Sequence, residues 1–81
     1  MKIIWTELAL LDAENIKAYI EQDSEIYATR VIEKIIEAIE NLNLYPQMGR
    51  VVPEFKKHEI REIFVYNYRV IYEVQSHAIT V

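Results

Sequence analysis

Two arginines in the C-terminal third are the residues best suited to chemistry. Arg61 and Arg69 lie in apolar, strand-like segments on either side of Tyr66-Asn67. A guanidinium group stays charged and binds carboxylates or phosphates through a planar fork of donors. It can stabilise charge that develops on a phosphate, or it can bind an acidic partner. The commoner use of an arginine on a strand is a surface ion pair, so both uses are kept open here.

Other kinds of chemistry have little support in the composition. The chain has no cysteine, which excludes thiolate metal sites and cysteine nucleophiles. Its two histidines, His58 and His77, have no matching ligands nearby, so we expect neither a metal nor another cofactor. Tyr66, Tyr68 and Tyr72 fit the core and its rim better than a role in acid–base catalysis.

The charge balance limits the partners. A formal net charge of −4 argues against broad binding to nucleic acid, so we expect no sequence-specific DNA binding by the chain alone. Five of the nine basic residues nevertheless follow position 49, namely Arg50, Lys56, Lys57, Arg61 and Arg69. The early acid Glu7 and the lack of a long apolar run predict a cytoplasmic protein without a membrane partner.

The first half of the chain predicts a strand and two helices. Its 81 residues predict one domain over positions 1–81. Lys2 to Trp5 is β-branched and aromatic, and Thr6 can cap the helix that follows. The apolar stripe of this helix is Ala9, Ala13, Ile16 and Ile20. Gln22-Asp23-Ser24 interrupts the pattern, and a broader stripe then runs from Ala28 to Leu42, which predicts a helical hairpin that packs on a sheet.

The second half predicts a turn and an antiparallel sheet. Pro46 cannot continue the helix, and Gly49 is expected to supply a backbone conformation that other residues resist. Residues 51–58 are expected to be irregular or an edge, and strands are predicted over residues 59–65, 68–74 and 77–81. The predicted fold is α+β, in the order β-α-α-β-β-β, with the helices on one face of a small antiparallel sheet.

The register of the hairpin decides which face each arginine occupies. A two-residue loop, in which Asn67 can accept left-handed angles, pairs Phe64 with Arg69 and gives the cleaner apolar face. Glu62 then lies diagonal to Arg69 and can pair with it. A three-residue loop, or a bulge, instead places Arg61 beside Arg69, and Glu73 is then its alternative partner. In the favoured register the open face holds Ile60, Glu62, Phe64, Arg69 and Ile71, and the helix-facing side holds Ile63, Val65, Tyr68, Val70 and Tyr72.

The sequence resembles the RelE/ParE superfamily of toxins over its whole length. Residues 46–50 (PQMGR) resemble the "P-x-x-G-R" turn of that family, and residues 61–63 (REI) resemble its "R-E-L" strand. Residues 68–74 (YRVIYEV) resemble its "Y-R-(hydrophobic)2-Y-x-V" strand. Trp5, Ala9, Asp12, Ile16 and Tyr19-Ile20 resemble its first strand and helix. The turn and the "R-E" element are closer to ParE-like members than to RelE-like members.

This resemblance implies the toxin of a type II toxin–antitoxin system, of the kind known for plasmid stabilisation. ParE-like members inhibit DNA gyrase, and a cognate antitoxin neutralises them. RelE-like members are enzymes that cleave mRNA in the ribosomal A site, and Arg69 matches an arginine that they use to stabilise phosphate charge. If the chain is RelE-like, Arg69 and Arg61 are its catalytic residues. The basic tail usual in the family is missing after Val81, so a truncated, non-catalytic antitoxin-binding module is a further alternative.

The open sheet face is the expected site for a partner, whether antitoxin, gyrase or ribosome. Phe64 and Ile71 are apolar groups on that face, and a partner that binds there should be apolar with acidic groups. Arg50 is expected to bind carbonyl groups or a carboxylate, and Lys56-Lys57-His58 is either a basic edge or a solvated loop. The predicted partner-binding residues are Phe64, Ile71, Glu62, Lys56, Lys57 and Arg50.

Overall fold

The chain forms two helices and five strands. The computed structural model describes residues 1–81, and its elements follow the order β-α-α-β-β-β-β. They are β1 (Lys2–Ile4), α1 (Glu7–Glu21), α2 (Glu25–Asn41), β2 (Arg50–Val51), β3 (Ile60–Val65), β4 (Tyr68–Val74) and β5 (Ala78–Thr80). Neither helix is long and apolar enough to cross a membrane.

Both helices begin at a capping residue, α1 at the predicted Thr6 and α2 at Ser24 of the Gln22-Asp23-Ser24 interruption. The Thr6 hydroxyl accepts a hydrogen bond from the Ala9 amide at 3.1 Å, and the Ser24 hydroxyl accepts one from the Tyr27 amide at 3.1 Å. Each cap accepts a hydrogen bond from an amide that has no partner within the helix, and this stabilises the folded protein by about 1 kcal/mol. The Thr6 hydroxyl also donates to the Val81 carbonyl at 2.9 Å, so the start of α1 is tied to the end of the sheet.

The sheet is mixed, with the strand order β1-β5-β4-β3-β2. β1 lies parallel to β5, whereas all other neighbours are antiparallel. The sequence predicted an antiparallel sheet, because hairpin signals report only on strands that are close in the chain. The parallel pair joins the two ends of the chain. The short strand β2 forms the far edge, where Arg50 lies opposite Glu62.

The two-residue hairpin loop is confirmed. Phe64 pairs with Arg69 and Val65 pairs with Tyr68, as the favoured register requires. The left-handed backbone angle, however, falls on Tyr66, whose φ is 55°, and not on Asn67. A tight antiparallel turn needs positive φ at its first central residue in most geometries, so the loop position overrides the preference of asparagine.

The core lies between α2 and the sheet, whereas α1 is less deeply buried. A cluster of Val31, Ile35, Ile39, Val65 and Val70 joins the two layers. A second cluster joins Leu42 to Tyr72 and Ile79. The predicted stripe of α1 is only half buried, and α1 has no fully buried residue. An apolar groove of about 290 Å³ therefore remains between α1 and the start of β4.

Candidate partner-binding site

Three neighbouring strands bring two arginines and a glutamate together on the open face of the sheet. Arg50 in β2 lies opposite Glu62 in β3, and Arg69 in β4 lies diagonal to it. The Nε of Arg50 contacts Oε2 of Glu62, and the Nε of Arg69 lies 2.6 Å from Oε1. The predicted pairing of Glu62 with Arg69 is therefore confirmed, and Arg50 binds a carboxylate as one of its two predicted partners.

Glu62 is the fixed centre of this group. Its side chain is only 1% exposed, although it lies on the face away from the helices. A buried carboxylate needs charge partners, and Glu62 has two of them. Oε1 makes no regular hydrogen bond, so its contact with Arg69 is a close ion pair. The two arginines thus compensate the buried charge of Glu62, and Glu62 holds both guanidinium groups in place.

Glu54 forms a second ion pair with Arg69, which the sequence did not predict. Its Oε2 lies 2.8 Å from Nη2 of Arg69, and its side chain is 58% exposed. This ion pair holds the pKa of the Glu54 carboxyl below its usual range and raises the pKa of Arg69. Glu54 lies between β2 and β3 in a segment without strand structure, where alternation gives no information about contacts.

Apolar groups border the charged residues. The Phe64 side chain is 56% exposed, and the guanidinium carbon of Arg50 lies 5.8 Å from the centre of its ring. Ile71 is 39% exposed on the same face. Arg69 and Ile71 also line the groove beside α1, together with Trp5 and Leu8. An apolar surface that surrounds a few fixed charges is typical of a site for another protein.

Arg61 lies on the opposite face, as the favoured two-residue register requires, and the alternatives that turned it to the open face, a three-residue loop or a bulge, are wrong. It pairs across the strands with Tyr72 and is buried under the 46–49 turn. Its guanidinium donates to three main-chain carbonyls, those of Gly49 at 2.8 Å, His58 at 3.2 Å and Gln47 at 3.3 Å. It has no carboxylate partner, and the proposed pairing with Glu73 is absent. No bulge turns it outward, because the β3–β4 register is regular throughout.

Tyr72 completes the attachment of the same turn. Its hydroxyl donates to the Pro46 carbonyl at 2.8 Å and accepts from the Gly49 amide at 3.0 Å. Burial of the phenol raises the pKa of Tyr72 above its usual value. Arg61 and Tyr72 together bind both ends of the Pro46–Gly49 segment, which fixes where Arg50 begins β2.

Gly49 is required for a different reason from the one predicted. Its φ is not positive, so it supplies no left-handed turn. A Cβ at this position would instead lie 2.5 Å from the carbonyl oxygen of Glu62 and 2.6 Å from the Tyr72 hydroxyl. The turn approaches the sheet so closely that only glycine fits.

This arrangement does not form a cluster of free basic groups. Arg69 contacts two carboxylates, and Arg61 is buried on the other side of the sheet. The open-face set of two arginines and two glutamates carries no net formal charge. Lys56 and Lys57 are exposed in the segment before β3 and form no salt bridge, so they add positive charge at the edge.

Comparison with known proteins places the chain in a family. Residues 3–81 match the family model described as "ParE toxin of type II toxin-antitoxin system, parDE". Among solved structures, the chain is similar to one titled "Chromosomal ParDE TA system from P. aeruginosa", with a TM-score of 0.78 and 19% sequence identity. That similarity covers 100% of this chain and 89% of the other, and at this identity it concerns the fold. No curated protein sequence matches the chain. Because the family model spans nearly the whole chain, the chain belongs to the ParE toxins of type II toxin–antitoxin systems.

Proposed function

We propose that this toxin acts by binding a protein target, DNA gyrase, in the cytoplasm, and that its cognate antitoxin neutralises it. Residues 1–81 act as a single toxin domain in this proposal. Membership of the family supports a toxin with an antitoxin as its partner. The choice of a protein target over RNA rests on Arg69, because both of its ion-pair partners are carboxylates of the same chain.

A protein target agrees with the chemistry of the open face. Binding of RNA or DNA relies on unpaired lysine and arginine residues that replace counterions on phosphates. Here the arginines are neutralised by Glu54 and Glu62, whereas apolar groups remain exposed. Exposed aromatic residues beside fixed arginines are the composition found at the centres of protein interfaces.

The nuclease alternative lacks the geometry that it needs. An arginine that stabilises phosphate charge must present its donors to the reacting group. The guanidinium of Arg69 is paired with Glu54 and Glu62, and that of Arg61 donates to main-chain carbonyls on the opposite face of the sheet. The two residues that the nuclease hypothesis would use together therefore lie on opposite faces.

In the same proposal the antitoxin covers the open face and the adjoining groove. Phe64 and Ile71 supply apolar contacts, while Arg50 and Arg69 bind acidic groups of the antitoxin. Glu62 does not contact the partner, because it is buried, and it positions both arginines. Lys56 and Lys57 attract an acidic segment from the edge.

The target is tested by supercoiling with purified gyrase. We expect this protein to inhibit supercoiling and an excess of antitoxin to restore it. A parallel translation reaction, with primer extension along the mRNA, should show no new cuts. Uninhibited gyrase together with cuts in the mRNA would reject the proposal in favour of a ribonuclease.

The antitoxin surface is tested with two matched isoleucines. Ile71→Ala changes the open face, whereas Ile36→Ala changes an isoleucine of the same exposure, 39%, in α2. Loss of a buried apolar contact costs about 1 to 2 kcal/mol, so the first variant should bind the antitoxin about tenfold more weakly. Equal affinities of the two variants in calorimetric titration would show that the antitoxin binds elsewhere.

A further inference from the structure

We propose that Glu54 is an internal substitute for a carboxylate of the antitoxin, which displaces Glu54 from Arg69 when the two proteins bind. The inference rests on the proposed role of the open face in antitoxin binding. It adds a specific event to that role, the exchange of one carboxylate for another on the same guanidinium group. In this proposal Glu54 weakens antitoxin binding, whereas the neighbouring Arg50 and Arg69 strengthen it.

The two carboxylates on Arg69 differ in how firmly they are held. Glu62 is 1% exposed, lies in the middle of β3 and is also bound by Arg50. Glu54 is 58% exposed and contacts only Arg69, and its segment has no strand partner. Glu62 therefore fixes the position of the guanidinium, while Glu54 occupies its outer side.

The position of Glu54 shows that a carboxylate fits there. Its oxygen lies 2.8 Å from Nη2 of Arg69, the usual distance for a charged pair. Arg69 itself is 35% exposed, so an incoming group reaches the guanidinium from solvent. An ion pair between two such exposed groups is weak, so an incoming carboxylate can displace Glu54 at little cost in free energy.

The surroundings of Arg69 indicate the chemistry of the group that replaces Glu54. Arg69 and Ile71 lie on the rim of the apolar groove that also includes Trp5 and Leu8. Because Arg69 lines this groove, a segment with apolar side chains there would lie beside Arg69. If an adjacent residue of that segment is acidic, its carboxylate reaches the guanidinium in a site that is drier than the present one, where the pairing is stronger. The expected ligand is thus an acidic residue adjacent to apolar residues of the antitoxin.

The experiment is a calorimetric titration of the cognate antitoxin into the full-length toxin and its Glu54→Gln variant. Removal of the competing carboxylate should tighten binding about twofold to fivefold, because an exposed ion pair is weak. Glu59→Gln is the matched control, because Glu59 is exposed, has the same charge and forms no salt bridge. We expect its affinity to change by less than that of Glu54→Gln.

A double-mutant cycle with Arg69→Gln tests whether the gain in antitoxin affinity from Glu54→Gln depends on Arg69. In the Arg69→Gln background, Glu54→Gln should no longer tighten binding, since no guanidinium remains to compete for. The proposal is overturned if Glu54→Gln weakens binding, if it matches Glu59→Gln, or if its gain persists without Arg69. These measurements use the antitoxin alone, so a failure to inhibit gyrase rejects the proposed target and leaves this contact standing.

Discussion

Arg61 and Arg69 lie on adjacent strands of one hairpin, yet the molecule uses them in different ways. Arg61 points under the 46–49 turn and binds three main-chain carbonyls. Arg69 points to the open face and pairs with two side-chain carboxylates. Carbonyls of a folded main chain cannot leave, whereas an exposed carboxylate can be exchanged. The first arginine therefore maintains the fold, and the second is available for recognition.

The two faces also differ in how each charge is compensated. Arg61 is buried without any counter-ion, so its charge depends on main-chain carbonyl dipoles and the His58 ring. Glu62 is buried with two counter-ions and would keep one of them if the other were lost. Damage on the turn side should consequently unfold the protein, while damage on the open side should chiefly change binding.

Arg61→Met should produce the largest loss of stability. Methionine preserves much of the side-chain volume but leaves the carbonyls of Gln47, Gly49 and His58 without their donor. We expect the free energy of unfolding to fall by on the order of 3 kcal/mol, measured by urea denaturation followed by circular dichroism. Arg30→Met is the control, since Arg30 is exposed and forms no salt bridge. Equal stability of the two variants would contradict the structural role of Arg61.

Gly49→Ala should have the next largest effect. The added methyl group meets the Glu62 carbonyl oxygen and the Tyr72 hydroxyl at 2.5 and 2.6 Å, and the first of these is main chain in the middle of the sheet. We expect a loss of about 2 kcal/mol. Gln47→Ala in the same turn should be nearly neutral, because its side chain is exposed and its carbonyl is retained. A Gly49→Ala protein with the same melting temperature as the parent would contradict the close approach of the turn to the sheet.

Tyr72→Phe should cost about 1 to 3 kcal/mol at neutral pH, because the buried Gly49 amide loses its acceptor. Burial raises the pKa of Tyr72 in the folded protein, so its contribution to stability is complete below the unfolded pKa of about 10 and is lost as pH rises through the folded pKa. The stability difference between parent and variant should therefore narrow above pH 10. A difference that stays constant or widens there would show that the phenol is not held in its neutral form.

Arg69→Gln should have the smallest effect on folding and a large effect on binding. Glu62 keeps Arg50 as a charge partner, and Arg69 is partly exposed, so we expect only a small loss in unfolding free energy, measured by urea denaturation. Antitoxin affinity should fall about tenfold in calorimetric titration, since a carboxylate of the partner loses its arginine. Arg30→Gln controls for the loss of one positive charge. If Arg69→Gln is strongly destabilised but binds the antitoxin normally, Arg69 maintains the fold and does not recognise the partner.

Local patterns in the sequence were sufficient for much of the fold. The stripe of Ala9, Ala13, Ile16 and Ile20 marks the half-buried side of α1, and Thr6 and Ser24 cap the helices. Alternation of apolar residues fixed the hairpin register, because a slip of one residue would have turned the apolar side of β4 to solvent. That register also placed Glu62 diagonal to Arg69.

Contacts between distant segments were decided only by the tertiary structure. The parallel pairing of β1 with β5, the acceptors of Arg61 and the approach of Gly49 to Tyr72 all join parts of the chain that have no common periodicity. Glu54 was missed for the same reason, since an irregular segment has no register from which its partner can be read. The sequence by itself determined which residues share a face of a helix or strand, because side-chain direction follows local backbone geometry. Only the packed chain decided that one arginine supports the turn and the other pairs with carboxylates on the open face, because each arrangement depends on groups brought close by the fold as a whole.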